Sequence, residues 1–273
     1  HYWRLKRFIE KELPLSKRRF VSNDYARTEK FIQSQGYDGI IVGSDEVWKL
    51  GPSSMGRPFP NIYWPGSEIE CKKIAFAASA NRTALNDLTR SEMDIMRDSL
   101  RRFHYITVRD EHTLELIKRL ALYDPKTVCI MPDPAFMLDC PDIDIREKLV
   151  SLGMDLKKPR VILIGTKKML RPILMDYFKE RGYQIVALSC YIEGADVNLL
   201  GKLDVWEWVN VFQYGSFCVT ERFHPIIFCL RYGTPFLAVD QSEIYQKYES
   251  KISFLLRNIG MQRCHIILNQ RVG

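Results

Sequence analysis

The chain has 273 residues, more than one ordinary hydrophobic core holds, so two domains are expected. Hydrophobic residues make up 46% and charged residues 27%, which excludes a disordered chain, and no apolar run approaches the roughly 20 residues of a membrane-spanning helix. The formal net charge is +7, with basic clusters in "RLKRF", "SKRRF" and "RRFH"; no aromatic-basic RNA-binding signature accompanies them, so they read as a solvated face or as peripheral contact with an anionic membrane, and not as a nucleic-acid site.

In chain order, "YDGIIVG" (37–43) reads as a buried strand and "KKIAFAAS" (72–79) as the next. A polar helix around 87–102 leads to the strand "YITVRD" (105–110), then to a helix in which Leu114, Ile117 and Leu120 fall at helical spacing. The strand "TVCIM" (127–131) stops at "PDP". The polar stretch 138–159 breaks the rhythm, which places a domain boundary near 155: residues 1–155 and 156–273. The second half restarts with "RVILIG" (160–165), a helix around 168–182, the strand "YQIVALS" (183–189), a helix over 204–215 and the strand "SFCVT" (216–220). Strands alternating with helices predict an α/β protein of two doubly wound, Rossmann-like domains facing a cleft, with ligands beyond the carboxyl ends of the strands. Seven cysteines, an odd number without a Cys-x-x-Cys, suggest reduced structural thiols in a cytoplasmic protein and offer no zinc site.

Two strand ends carry chemistry. After "FCVT" comes the loop "ERFH", and Pro225 suits the first turn of a helix whose apolar stripe is Ile226, Ile227 and Leu230, with Gly233 at its end. Arg222 and His224 therefore stand at a helix N-terminus on the ligand side, where an anion is favoured. Arg offers a planar fork for carboxylate or phosphate, and His a proton near neutral pH. The bland alternative is a capping His and a surface Arg. In "IIVGSDEVWKL" (40–50) Gly43 lets the backbone turn, and Ser44, Asp45 and Glu46 crowd the next strand end, followed by Trp48. Carboxylates beside an aromatic ring suit a sugar, and one could serve as general base; the alternative is an N-cap with Trp48 in the core.

Together, "VGSDEVW", "AFAAS", "TVRDEHTLELIK", "MPDPAFML", "TERFHPIIFCLRYGTPFLAV" and "YESKISFLLRNIGM" resemble the polysaccharide pyruvyl transferase family. The resemblance implies an architecture similar to glycosyltransferases of the B type, with the acceptor side in the first domain and the donor side in the second. It implies transfer of pyruvate, as a ketal, from phosphoenolpyruvate to a hydroxyl of a sugar or lipid-linked oligosaccharide. The family's Arg-x-His falls on Arg222, Phe223 and His224, its first-domain arginine on Arg109 and its acidic loop on Asp45 and Glu46. Lys167 is expected to assist the donor, His224 to act as acid, and Ser44, Asp45 and Trp48 to hold the acceptor. Phosphoenolpyruvate is the donor substrate, and neither cofactor nor metal is expected. The family opens with a strand that this sequence is expected to lack. The protein is expected in the cytoplasm or at the inner face of the membrane. Open alternatives are a nucleotide-sugar glycosyltransferase on the same architecture, or an inactive or repurposed member that binds an anion or a glycan.

Overall fold

The computed structural model describes residues 2–50, 59–81, 83–121, 128–241 and 249–268. By its internal contacts the chain divides into two units, one of Ser16–Met137 and one of Leu138–Gly273 joined by His1–Leu15. The division falls at Leu138, ahead of the expected 155, because the segment after it is tied to the second unit. Asn210 Nδ2 donates to the Pro141 carbonyl at 2.9 Å, Asn210 Oδ1 accepts from the Ile143 N–H at 3.2 Å, and Arg231 donates to the Leu138 carbonyl at 2.7 Å. The N-terminal helix α1 (Tyr2–Glu12) belongs to that unit as well, its Phe8 ring set edge-on against Trp206 at 5.4 Å.

The first unit is a parallel sheet of β1 (Gly39–Asp45), β2 (Lys72–Ala78), β3 (Tyr105–Val108) and β4 (Val128–Ile130), in that order. Its helices are α2 (Tyr25–Gln33), α3 (Arg90–Arg102) and α4 (Glu111–Ala121). Because strand order follows the chain, successive right-handed crossovers place α3 and α4 on one face. There Val42, Ala75, Ile106 and Val108 pack with Met96, Leu100, Ile117 and Leu120. On the opposite face Ile41 and Tyr105 are each 70% exposed. Thr89 and Glu92 form a capping box that fixes where α3 begins.

The second unit holds α5 (Arg146–Ser151), β5 (Arg160–Ile164), α6 (Arg171–Lys179), β6 (Gln184–Ala187), β7 (Val197–Asn198) and α7 (Val205–Asn210). It continues through β8 (Phe217–Thr220), α8 (Phe223–Tyr232), β9 (Phe236–Gln241), α9 (Lys251–Asn258) and β10 (His265–Leu268). The sheet is parallel, with order β10-β9-β8-β5-β6-β7. From β5 the chain builds outward through β6 to β7, then returns to β8 and builds the other way. The switch point of this doubly wound sheet is thus between β5 and β8, and the crevice beyond their carboxyl ends is where such sheets bind ligands. The two-residue β7 and the edge strand β10 were not visible as apolar runs of strand length; Ile266 and Ile267 of β10 are 45% and 53% exposed.

At the carboxyl end of the first sheet, Arg109 follows β3 and bridges two other strand ends. It donates to Asp45 Oδ1 at 2.8 Å and to Asp133 Oδ2 at 2.7 Å. Burial works against its charge, but hydrogen bonds and charge from the two carboxylates outweigh it and leave the guanidinium pKa raised. Asp45 holds a left-handed φ of 66°, and Gly43 before it a φ of 139°. A Cβ on Gly43 would lie 2.0 Å from the Phe76 carbonyl oxygen, inside van der Waals contact with the backbone of β2.

Gly43→Ala is therefore expected to cost about 3 kcal/mol or more, read as a lowered urea midpoint with an unchanged slope. Arg109→Met strands the buried Asp133 carboxylate and is expected to cost about 3–5 kcal/mol in the same assay; a loss below about 1 kcal/mol would show the bridge to be dispensable.

Candidate functional site

The loop between β8 and α8 is built so that alternate residues face opposite ways. Phe223 is 7% exposed and packs inward, while Arg222 before it and His224 after it are exposed. Arg222 is the N-cap residue of α8 in extended conformation, with no side-chain cap bond, so its guanidinium is not spent on the helix. Its own N–H donates to Thr220 Oγ1 at 2.9 Å, which fixes the turn out of the strand. Pro225 is the third residue of α8, where its lack of an N–H leaves no helical bond unmade. His224 lies inside the first turn and is not the cap.

The neighbouring loop, after β5, comes close. Gly165 has φ 68°, and a Cβ there would stand 2.5 Å from Cγ of Arg222. Only glycine lets the arginine stem lie across the end of β5. Glu221 ties the loops together by accepting the Lys167 N–H at 2.6 Å. Between them Thr166 is 2% exposed, and its Oγ1 has no hydrogen-bond partner among the described residues. On the far side Lys251, the first residue of α9, holds its ammonium 5.6 Å from the centre of the Phe223 ring. Ser250 caps α9 by accepting the Ser253 N–H at 2.9 Å. Its hydroxyl also donates to Asp240 Oδ2, which His265 Nε2 approaches to 2.8 Å. Arg222, His224, Lys167 and Lys251, with the N-termini of α8 and α9, thus gather around the switch point. Such a group can bind a small dianion or trianion and hand it a proton.

The residues expected on the acceptor side are in the first unit. Asp45 ends β1; its side chain is 61% exposed while one oxygen is held by Arg109. Residues 46–50 form a turn rather than a helix, so Asp45 is not an N-cap. Ser44 is half-buried, and Glu46 Oε2 lies 3.4 Å from Lys49 Nζ. Two expectations change. Trp48 is fully buried, stacked on Trp64 at 4.8 Å with its N–H donated to the Tyr63 carbonyl at 2.9 Å, so it cannot cover a sugar ring. Arg109 is 5% exposed and committed to two carboxylates, so it positions Asp45 rather than offering a cation to the donor. Phe223 can meet a ligand only through its backbone, since its ring is buried.

Thr166, Glu221 and Lys251 were not foreseen. Lys251 stood in a stretch that resembled the family, after a Ser with N-cap character; Thr166 had no signal beyond its place at a strand end. Among the described residues no group of three or more His, Cys, Asp or Glu side chains is arranged to hold a metal ion, and no helix is long and apolar enough to cross a membrane.

No curated protein matches the chain. Among solved structures, a protein described as a UDP-N-acetylglucosamine 2-epimerase from Listeria monocytogenes superposes with a TM-score of 0.51 at 10% identity, over 79% of this chain and 60% of that one. Sucrose-phosphate synthase from Thermosynechococcus elongatus gives 0.40 at 12% identity, over 62% and 50%. The chain thus spans 60% or less of the length of either protein, and the first likeness shows the fold alone, Rossmann-like units of parallel sheet with helices. The model of the family described as polysaccharide pyruvyl transferase matches residues 1–243, and the chain belongs to that family.

Proposed function

We propose that this chain transfers a pyruvyl group from phosphoenolpyruvate to a sugar hydroxyl of a cell-surface polysaccharide or its precursor, closing a ketal. The observation that carries the reading is the pair of exposed side chains, Arg222 and His224, flanking buried Phe223 at a helix N-terminus on the switch point. Phosphoenolpyruvate carries a carboxylate and a phosphate. Arg222 suits one of them by a two-pronged contact, and Lys167, Lys251 and the backbone N–H groups opening α8 suit the other. The buried Thr166 hydroxyl, without a hydrogen-bond partner among the described residues, fits an anion oxygen. The second cation that the family resemblance sought in Arg109 is supplied in this reading by the two lysines of the second unit.

In the reaction, protonated His224 delivers its proton to the methylene carbon of phosphoenolpyruvate, turning it into a methyl group and leaving C2 electron-poor. A sugar hydroxyl oxygen bonds to C2 as its proton passes to a base. The C2–O bond to phosphate then breaks, inorganic phosphate leaves with the bonding pair, and a second hydroxyl of the sugar bonds to C2, its proton returning to the now neutral His224, to close the ketal. Cations around the phosphate favour its departure, because they offset charge that builds on the leaving oxygen. Asp45 and Glu46 are the carboxylates this reading assigns to the acceptor hydroxyls, with Arg109 holding Asp45 in place.

Calorimetric titration with phosphoenolpyruvate is expected to show binding to the wild type and a loss of about 2–5 kcal/mol for Arg222→Ala at an unchanged melting temperature. Unchanged affinity would remove Arg222 from the donor site, and binding of a uridine or guanosine diphosphate sugar in place of phosphoenolpyruvate would overturn the reaction. His224→Gln keeps a polar group but has no proton to deliver near neutral pH. Phosphate release with a saccharide that the wild type accepts should then fall by roughly 10²-fold or more, with donor affinity little changed; retained turnover would reduce His224 to a bystander.

A further inference from the structure

Two guanidinium groups approach the end of β5, one from each side. From the β8 side the Arg222 stem lies across Gly165, where a Cβ would stand 2.5 Å from its Cγ. From the β6 side comes Arg171, the first residue of α6. It donates through Nε to the Thr166 carbonyl at 3.0 Å and through Nη2 to Cys190 Sγ at 3.4 Å. β6 and β8 are the two neighbours of β5 in the sheet, and Cys190 lies in the loop that follows β6. Both arginines thus stand at the carboxyl ends of the strands, beside the consecutive residues Gly165 and Thr166, where the switch-point crevice opens. Three observations single out Arg171. It is half-buried, yet among the described residues no carboxylate pairs with it. Its charge sits at the amino end of a nine-residue helix, where the dipole is already positive. Its remaining nitrogen, Nη1, makes no hydrogen bond among the described residues and is not one of their buried atoms without a partner, so it reaches accessible surface. A cation so placed is unfavourable by itself and favourable beside an anion.

Hydrogen-bond accounting separates the two arginines. The Arg222 side chain has no hydrogen-bond or ion-pair partner among the described residues, so its whole fork is open to the two oxygens of a carboxylate. Arg171 has committed its Nε and Nη2 side to the protein. It keeps Nη1, a single contact that suits one oxygen of a tetrahedral phosphate. We infer that Arg171 is a phosphate-binding residue of the donor site, joining Lys167 on the phosphate and leaving the carboxylate to Arg222. The inference rests on the proposed reading that phosphoenolpyruvate is the donor, and adds which cation takes which end of it. In that orientation Arg171 also meets the charge that builds on the leaving phosphate oxygen. Its bond to the Thr166 carbonyl fixes the guanidinium before the ligand arrives, so little side-chain freedom is lost on binding.

The test uses the full chain, calorimetric titration with phosphoenolpyruvate, and separate titrations with its two halves, inorganic phosphate and pyruvate. The wild type should bind all three. Arg171→Gln should weaken phosphoenolpyruvate and inorganic phosphate roughly 10-fold or more, the loss expected for one charge-assisted hydrogen bond, and leave pyruvate nearly unchanged. Arg222→Gln should do the reverse, weakening pyruvate and sparing inorganic phosphate. Arg171→Lys keeps the charge and should recover most of the phosphate affinity. A merely structural Arg171, acting only by holding the Thr166 loop, would weaken both halves together. Unchanged phosphate affinity in Arg171→Gln, or an equal loss of both halves, overturns the inference; phosphoenolpyruvate binding by the wild type would then leave the donor reading standing. A wild type that binds inorganic phosphate through Arg171 but no phosphoenolpyruvate sinks the donor reading and keeps the phosphate site. A wild type that binds none of the three overturns both.

Discussion

The carboxyl end of the first sheet depends on one buried guanidinium. Arg109 sits just past β3 and holds Asp45 at the end of β1 and Asp133 beyond β4, so three strand ends are clamped by one side chain. Placing that cation in a nearly dry site is unfavourable unless carboxylates meet it, and the buried Asp133 carboxylate without it would be worse placed still. The consequence is local order where order is hard to obtain. Asp45 keeps a left-handed backbone and a largely exposed side chain, yet one of its oxygens cannot wander. An arginine buried for structure thus fixes a carboxylate that solvent and solutes can reach.

In the second unit the same problem has a different solution. Among the described residues no buried ion pair joins the loops after β5 and β8; backbone geometry organises them. Gly165 gives the room that the Arg222 stem occupies, Thr220 takes the Arg222 N–H, and Glu221 takes the Lys167 N–H. Each of these anchors uses backbone or stem, which leaves the charged ends of Arg222 and Lys167 for work beyond the protein. Phe223, buried beneath, turns its two neighbours outward together and gives Lys251 a ring to lie over. The strand ends of the second unit thus carry cations and those of the first carry carboxylates, a division that would suit the anionic donor and hydroxyl-bearing acceptor proposed above.

Most of the fold was legible in the sequence, because the strands of both sheets are short apolar runs bounded by polar turns, and parallel sheets bury such runs. What was not legible depends on partners distant in sequence. Trp48 beside two acids looks like a sugar platform until Trp64 stacks on it. Arg109 at a strand end looks like a ligand cation until Asp45 and Asp133 converge on it. The polar segment near 155 looks like a boundary, but Asn210 and Arg231 reach the backbone of 138–143 and draw it into the second unit. Arg222 and His224 were legible because their placement is a local matter: strand, short loop, proline in the first turn of a helix. Lys251 lies in a stretch that resembled the family, but only the fold brings it to Phe223.

The buried polar atoms follow a pattern that local sequence could not have revealed. Many such groups are met within the protein. Thr113 takes the Ala80 N–H at 2.8 Å, and Thr234 donates to the Phe212 carbonyl at 2.7 Å. Among the described residues the hydroxyls of Thr166 and Ser99 and the Trp64 N–H are not, the first at the switch point and the other two in the interior of the first unit. Each such group costs about 1–3 kcal/mol, against a total stability of about 5–15 kcal/mol for a typical protein, so three of them are a substantial burden. A serine replaced by alanine, or a threonine by valine, would relieve it at almost no change in volume. At the switch point, where Thr166 stands beside the Arg222 stem and Lys167, an anion of the proposed reaction would relieve that burden from outside.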